Sequence, residues 1–401
     1  MPDSVAPRSQ NAMSDSSFRS RTKSSVDWLL DSAIQVTTGT DCGGAHAWLD
    51  EETRRGAYLY SESTGYLITL LSNLVEVIEE PRLLGRAQNA GDWLIRVGQH
   101  ESGLLLGRKY ACPGSDSFSF EGGRVALFDN CVAGYGLLNL YRITASEKYL
   151  RHAVKIAERC ADVFFNDDSS LLGPVFDLKA HRIQAQEDRW SLHNGSFLLK
   201  CALFLVSVAA LTGNTRFKKL IDPLLRLATG RQLPNGAFRT DRAADRTHLH
   251  PHGYTIEGLL FLAFEWQRDD LFEAAKNAID FSFRECLDPL AGVRHSWPTP
   301  DNYCGARLRS DVIAQHLRAY YIAKILDESC LTQWEDRIDD LHSLLDGFAL
   351  DSGGTSYGLS ESGSLIRHAN SWCHFFRIET ELYRHCHQNR LGFPGARLVI
   401  T

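Results

Sequence analysis

The feature that most constrains this chain is an internal repeat. A largely apolar helix followed by an amphipathic one recurs about every sixty residues between Trp28 and Cys386. The apolar members open near Tyr66, Asn130, Asn194, Tyr254, Asp311 and Asn370. The amphipathic members lie near 82–99, 147–165, 215–231, 269–285 and 329–348, and the helix around Trp28 makes a sixth. In the first repeat the apolar run is Leu67, Ile68, Leu70, Leu71, Leu74 and Val75. Pro81 ends it and starts the next helix, in which Leu84, Ala87, Ala90, Trp93 and Leu94 share one face.

The connections are asymmetric. Each apolar helix passes to its amphipathic successor through a short polar turn such as Thr212-Gly213-Asn214. The return to the next apolar helix takes a loop of about 20–30 residues, a length that is uncommon unless the loop is functional or disordered. These long loops fall at the same end of every hairpin, so they gather on one face. Twelve helices in six hairpins, apolar alternating with amphipathic, predict an all-α (α/α)6 toroid with an inner and an outer ring. The helix around Trp28 and the last apolar helix lack partners in sequence and complete the sixth pair. An open solenoid is the alternative, but such arrays use shorter repeats, about 34–47 residues. The expected organisation is a disordered leader over 1–25, one toroid over 26–390 and a tail over 391–401.

Composition narrows the partners. The chain is 44% hydrophobic and 23% charged, with a formal net charge of -6 and no block of Lys or Arg. That argues against nucleic acid or an anionic membrane surface. The ten cysteines form no C-x-x-C pair, and several sit inside apolar runs, which suits reduced thiols in a cytoplasm. The longest apolar run, Cys201 to Leu211, is too short to span a bilayer, which takes about 18–20 residues. The expectation is a soluble, cytoplasmic protein with a small-molecule or oligosaccharide substrate.

If the inner helices run parallel, their N-termini all point at the long-loop face, where free N–H groups and a partial positive charge favour anions and hydroxyls. The residues at those junctions are the candidate pocket: Tyr60, Glu62 and Tyr66; Asp129 and Asn130; Trp190, His193 and Asn194; His250, His252, Tyr254 and Glu257; Tyr303, Arg307, Arg309 and Asp311; His368, Asn370 and Trp372. Aromatic faces stack on sugar rings and Arg forks grip carboxylates. Asp129, Asn194, Asp311 and Asn370 are equally the residue types that cap helices. Glu257 follows Tyr254 by three residues, on the same helical face, and is itself followed by an apolar run that would raise a buried carboxyl's pKa. Tyr254 is a candidate proton donor or abstractor, with His250, His252 or Arg309 as the positive charge to lower its pKa. The alternating His248, His250 and His252 lack a thiolate or second carboxylate at ligand spacing, so neither a metal nor a cofactor is expected. Phosphate-loop, dinucleotide and H-E-x-x-H motifs are absent.

At this level the chain resembles the toroidal carbohydrate-active enzymes: N-acylglucosamine 2-epimerases, unsaturated glucuronyl hydrolases and the helical domain of D-glucuronyl C5-epimerases. The repeat carries the resemblance over residues 26–390. Locally, Pro251 to Leu260 is similar to an epimerase stretch in which a His is followed three residues later by a Glu; Glu257 takes the Glu position, but Tyr254 stands where those enzymes have the catalytic His. A tyrosine that handles protons is what the resemblance to uronate C5-epimerases and related lyases implies. The stretch Asn130 to Arg142 is similar to the C5-epimerase helical domain, and Asp129 sits where glucuronyl hydrolases carry an acid.

The resulting expectation is a sugar epimerase or lyase acting on a uronic acid or amino sugar. Tyr254 or His193 would serve as base and acid, Glu257 as relay and Arg309 as anion holder, with Arg307, His250, His252, Tyr66, Trp190, Asn194, Tyr303, Asp311, Asn370 and Trp372 binding substrate. The alternatives are a glycoside hydrolase using Asp129 with Glu62 or Glu257, and a non-enzymatic toroid that binds through the cavity.

Overall fold

The computed structural model describes residues 16–112, 116–242, 244–289, 292–298 and 308–401. The predicted hairpins are present. The inner ring is formed by α2 (Ser61–Val75), α4 (Leu127–Thr144), α6 (Ala202–Thr212), α9 (Leu249–Trp266), α11 (Ser310–Leu326) and α13 (Ser371–Gln388). The outer ring is formed by α1 (Ser16–Asp31), α3 (Arg82–Trp93), α5 (Glu147–Phe164), the broken helix α7 (Thr215–Lys219) plus α8 (Ile221–Thr229), α10 (Asp269–Glu285) and α12 (Glu335–Asp346). Sequence separates the two rings as expected. From Ala202 to Ala209 every residue of α6 is buried, whereas α5 buries only one stripe, including Tyr149, Ala153, Ile156, Ala157, Cys160 and Phe164. The ring closes where the unpaired terminal helices meet: α1 packs on α13, with Trp28 4.3 Å from the His374 ring.

Inner helices touch closely where they carry glycine. A Cβ on Gly65 of α2 would lie 2.6 Å from the Ala133 Cα of α4, and one on Gly136 would lie 2.7 Å from the Gly65 carbonyl oxygen. Backbone faces backbone there, so neither neighbour can turn aside. Gly136→Val is expected to cost about 1–3 kcal/mol, the usual toll of overpacking, and equilibrium denaturation in urea measures it.

The long loops are not structureless. They carry short antiparallel strand pairs around the mouth: Leu59–Tyr60 with Arg108–Lys109, Arg124–Ala126 with Val175–Asp177, Thr247–His248 with Ser296–Trp297, and Leu308–Arg309 with Gly358–Leu359. Trp48–Asp50 pairs with His368–Asn370 and joins the first repeat to the last. Strands of two or three residues leave no alternation to read in a sequence. The same loops stitch the inner helices. The first N–H of each donates to a neighbouring loop carbonyl: Ser61 to Gly107 (3.0 Å), Leu127 to Pro174 (2.9 Å), Leu249 to His295 (2.8 Å), Ser310 to Tyr357 (3.1 Å) and Ser371 to Ala47 (3.0 Å). Those donors, expected to be free for ligand, are therefore used by the fold. The third inner helix departs from this pattern, entering through a 3-10 turn at Ser196–Cys201.

Two boundaries differ from expectation. The leader over 1–25 is helical from Ser16, because Phe18, Thr22 and Ser25 continue the buried face of α1 toward α13. The tail over 391–401 is part of the toroid, since Leu398, Val399, Ile400 and Thr401 are all buried. Among the described residues the nine cysteines are free thiols, and no helix is long and apolar enough to cross a membrane.

Candidate active site

A cavity of about 460 Å³ opens at the long-loop face. Its collar is aromatic: Trp48, Tyr58, Phe118, Trp190, Tyr357 and Trp372. Inside it are Glu62, Arg108, Asp129, His250, Arg309 and Asn370, with Phe128 and Tyr254 on the wall. Its carboxylates, Glu62 and Asp129, project from the first turns of α2 and α4, where the repeat places them.

Glu62 and Asp129 form a pair. Both interact with the Tyr60 hydroxyl, and each feels the Arg108 guanidinium. Arg108 stacks between Tyr58, Tyr60 and Phe118 at 5.3, 5.6 and 5.7 Å and pairs with Asp116 at 2.9 Å. Burial, and then the charge of Glu62, push Asp129 up to about 8; Arg108 and the Tyr60 bond oppose this. Burial raises Glu62 as well, against the neighbouring Tyr60 and Tyr66 hydroxyls and the charges of Lys200 and Arg108. The charge of one carboxylate disfavours ionisation of the other, so the pair holds a proton at neutral pH.

The second cluster centres on Asp311. His250 Nδ1 lies 3.1 Å from its Oδ2, and Trp372 Nε1 donates to the same oxygen at 3.3 Å. Arg309 forks onto both oxygens, at 3.0 Å through Nε and at closer range through Nη2, and stacks on Tyr357 at 5.0 Å. Burial would raise Asp311, but the Arg309 guanidinium outweighs it and keeps the carboxylate ionised. Burial holds His250 neutral, down to about 3.

Beneath the cavity lies a layer of tyrosines. Tyr66 donates its hydroxyl to the Tyr254 hydroxyl at 3.0 Å. Lys200 Nζ lies 4.5 Å from the Tyr254 ring centre, 4.9 Å from that of Tyr66, and 2.6 Å from Glu257 Oε2. Arg318 bridges Glu257 and Glu379.

This placement revises the sequence expectations. Tyr254 reaches the cavity wall, and burial and the Glu62 charge push its pKa well above the ordinary value, which favours the neutral phenol. The cations invoked to activate it are spent or absent: His250 is neutral and Arg309 serves Asp311. Glu257 is sealed in an ion-pair network that lowers its pKa, because Arg318 and Lys200 outweigh the burial that was expected to raise it. His193 is buried off the cavity wall. His252 is held by the Phe238 N–H at 3.2 Å and lies 3.1 Å from the Ala278 carbonyl, on the outer side of α9. Asn194 is off the wall too, its N–H donating to Gln186 at 3.0 Å. Asn130 is structural, accepting from the Leu105 N–H at 2.7 Å. Of the four capping candidates only Asn370 caps, accepting from the Cys373 N–H at 3.2 Å. Tyr303 and Arg307 lie outside the described residues. His248 turns to Asp241 (3.0 Å) while His250 turns to Asp311, so the three loop histidines diverge. Among the described residues no cluster of three or more His, Cys, Asp or Glu is arranged to hold a metal.

Sequence reading passed over Arg108, Trp48, Tyr58, Phe118 and Tyr357. Tyr58 lies just before α2, and the others come from the middles of the long loops, where no local periodicity marks them. The Tyr58-x-Tyr60-x-Glu62 alternation, readable as a strand aimed at a helix start, was the available signal.

A closed ring of six helical hairpins with a polar, aromatic-collared cavity at one mouth is the (α/α)6 toroid. Solved structures similar to this chain share that fold over nearly their whole length. D-mannose isomerase matches with a TM-score of 0.72 and 11% identity, over 94% of this chain and 100% of that one. Cellobiose 2-epimerase from Spirochaeta thermophila matches at 0.69 with 14% identity over 92% and 97%. An unsaturated glucuronyl hydrolase specific for heparin matches at 0.67 with 10% identity over 95% and 99%. No protein-family model matches the chain, and no curated protein matches it in sequence.

Proposed function

We propose that this protein is a carbohydrate-active enzyme working by general acid–base catalysis, with Asp129 as the proton donor. The observation that carries the reading is the Glu62–Asp129 pair on one hydroxyl under an aromatic collar. Asp129, held protonated, delivers its proton to a bound sugar. The resulting carboxylate then takes a proton from water, while Glu62 carries the negative charge that keeps Asp129 a reluctant acid. Stacking on Trp48, Tyr58 and Trp372 orients a sugar ring over the pair. In hydrolysis the proton goes to the glycosidic oxygen as its bond to the anomeric carbon breaks, and the oxygen of the deprotonated water adds to that carbon; in hydration of an unsaturated sugar the proton goes to one carbon of the double bond and the water oxygen to the other. The likeness to a glucuronyl hydrolase supports this branch. A convergent acid pair counts against a cavity that merely binds.

A second reading rests on a separate observation. His250 is neutral, sits at the cavity and has its Nδ1 3.1 Å from an ionised Asp311, which leaves its other nitrogen as the candidate base. Proton abstraction beside a sugar carbonyl, as in epimerisation or isomerisation, would use that group. The likeness to cellobiose 2-epimerase and D-mannose isomerase supports it. This base replaces the Tyr254 and His193 of the sequence expectation.

Incubation of reducing and unsaturated uronyl disaccharides in D2O separates the two. Hydrolysis yields monosaccharides; proton abstraction yields deuterium at carbon in an uncleaved sugar. Neither product from any disaccharide or monosaccharide panel sinks the proposal. On a cleaved substrate the rate is expected to fall as pH rises through about 8, where Asp129 loses its proton. A rate that stays flat to pH 10 removes Asp129 as the acid.

A further inference from the structure

Three arginines line the cavity, and they are not equivalent. Arg189 stands exposed at the rim. Arg309 is paired through Nε and Nη2 with Asp311, a carboxylate fully enclosed by protein, so its charge is answered inside the wall. Arg108 makes one hydrogen bond, from Nη1 to Asp116 at 2.9 Å. The Asp116 side chain is 29% exposed, and it also accepts from the Tyr110 hydroxyl and the Phe118 N–H, each at 2.6 Å. Water and two further donors therefore share that carboxylate's charge. Arg108 Nε is enclosed without a partner, and Nη2 has no hydrogen-bond partner among the described residues. The terminal nitrogens are the edge left for a ligand.

The fold fixes this guanidinium beside the acid pair. Arg108 is the register partner of Tyr60, and that strand runs straight into α2 and Glu62. The neighbouring Gly107 carbonyl accepts the Ser61 N–H at 3.0 Å, and a Cβ on Gly107 would lie 3.8 Å from Asp129 Oδ2. The Arg108 N–H donates to the Phe118 carbonyl at 3.0 Å, and its carbonyl accepts from the Phe120 N–H at 2.9 Å. Its guanidinium is wedged among the rings of Tyr58, Tyr60 and Phe118. A cation held at so many points loses little freedom on meeting a ligand. We propose that Arg108 selects a sugar carrying an anionic group, a carboxylate or a sulfate ester, and grips that group through its terminal nitrogens while the ring lies over Glu62 and Asp129. Hydrogen bonds between ionised partners are the strong ones, and a planar fork suits the paired oxygens of either group. The inference rests on the carbohydrate reading above and names its substrate class. It moves to Arg108 the anion-holding role that the sequence suggested for Arg309.

Equilibrium binding to the full-length protein tests this without turnover. Methyl β-glucuronoside, methyl β-glucoside 6-sulfate and methyl β-glucoside share one ring and differ only in the group at its exocyclic carbon, and calorimetry gives each affinity. The protein is expected to favour one or both anionic glycosides over the neutral one by at least about tenfold, the worth of a charge-assisted pair. Preference for the carboxylate alone assigns uronates, for the sulfate alone sulfated sugars, and for both a site that reads charge. Arg108→Gln is expected to cut the preference to within about threefold, since the amide carries no charge. An Arg108 that only staples the loop to Asp116 would leave the ratio unchanged, because a loosened wall weakens all three ligands alike. Equal affinities in the unmutated protein, no measurable binding of either anionic glycoside, or a preference that survives in folded Arg108→Gln overturns the inference. Should Arg108→Gln not fold, Arg108→Lys takes its place: it keeps the charge but not the planar fork, and a preference undiminished there overturns the inference as well. Such a failure leaves the acid–base reading standing, which turnover of Asp129→Asn decides separately.

Discussion

Asp129→Asn is expected to lose turnover on a cleaved sugar by about 10²–10⁴-fold, the usual worth of a positioned general acid. The same substitution is expected to stabilise the fold at alkaline pH. Folded Asp129 has a pKa of about 8, against about 3.9 for an unfolded aspartate. The folded state therefore binds more protons between those values, and stability falls as pH rises through that window. Asparagine keeps the shape and has no proton to lose, so the variant's advantage should grow from about pH 4 and level off above about pH 8. Thermal melts at pH 5 and pH 9 measure this beside the rate. An inactive variant with a larger advantage at pH 9 than at pH 5 marks a group kept at a cost to the fold, the pattern of a functional residue. Retained activity, or an advantage that does not change with pH, refutes the assignment.

The second large effect lies behind the site. Arg318 is fully buried and bridges Glu257 and Glu379, which are buried as well. Arg318→Met keeps the apolar stem but leaves two carboxylates with only Lys200 between them. Breaking one side of a buried ion pair costs about 3–5 kcal/mol, and urea denaturation at pH 7 should show a loss of that order. Adding Glu379→Gln removes one of the stranded charges, so the double variant should recover part of the loss. A loss below about 1 kcal/mol would mean that water reaches the network and compensates the stranded charges.

These experiments separate what the carbohydrate reading needs from what the fold needs. Glu257 illustrates the difference. In sequence it looks like a catalytic acid, since it follows a tyrosine at helical spacing and enters an apolar run. In the structure its oxygens meet Lys200, from the preceding inner helix's 3-10 entry, and Arg318, from the following inner helix. Those partners lie 57 and 61 residues away, so no local pattern announces them. Tyr254 shows the same limit. Its aromatic position at a helix mouth is legible, but its pKa depends on charges contributed by other repeats.

What the sequence determined by itself is the architecture. The alternation of apolar and amphipathic helices at a period near sixty residues, with long loops on one side, dictates two rings closed by the first and last helices. It also places Glu62, Asp129 and Asp311 in first turns at the open mouth. Both are local matters: helical periodicity and the chemistry of turns act over a few residues, and repetition carries them around the ring. What only the tertiary structure decided is which of those residues share an environment. The ring brings Glu62 beside Asp129 and Tyr60, brings Arg108 in from mid-loop, seals Glu257 between cations and lodges residues 398–401 in the axis. Protonation states follow from burial and neighbouring charge, and both exist only once the hairpins have closed.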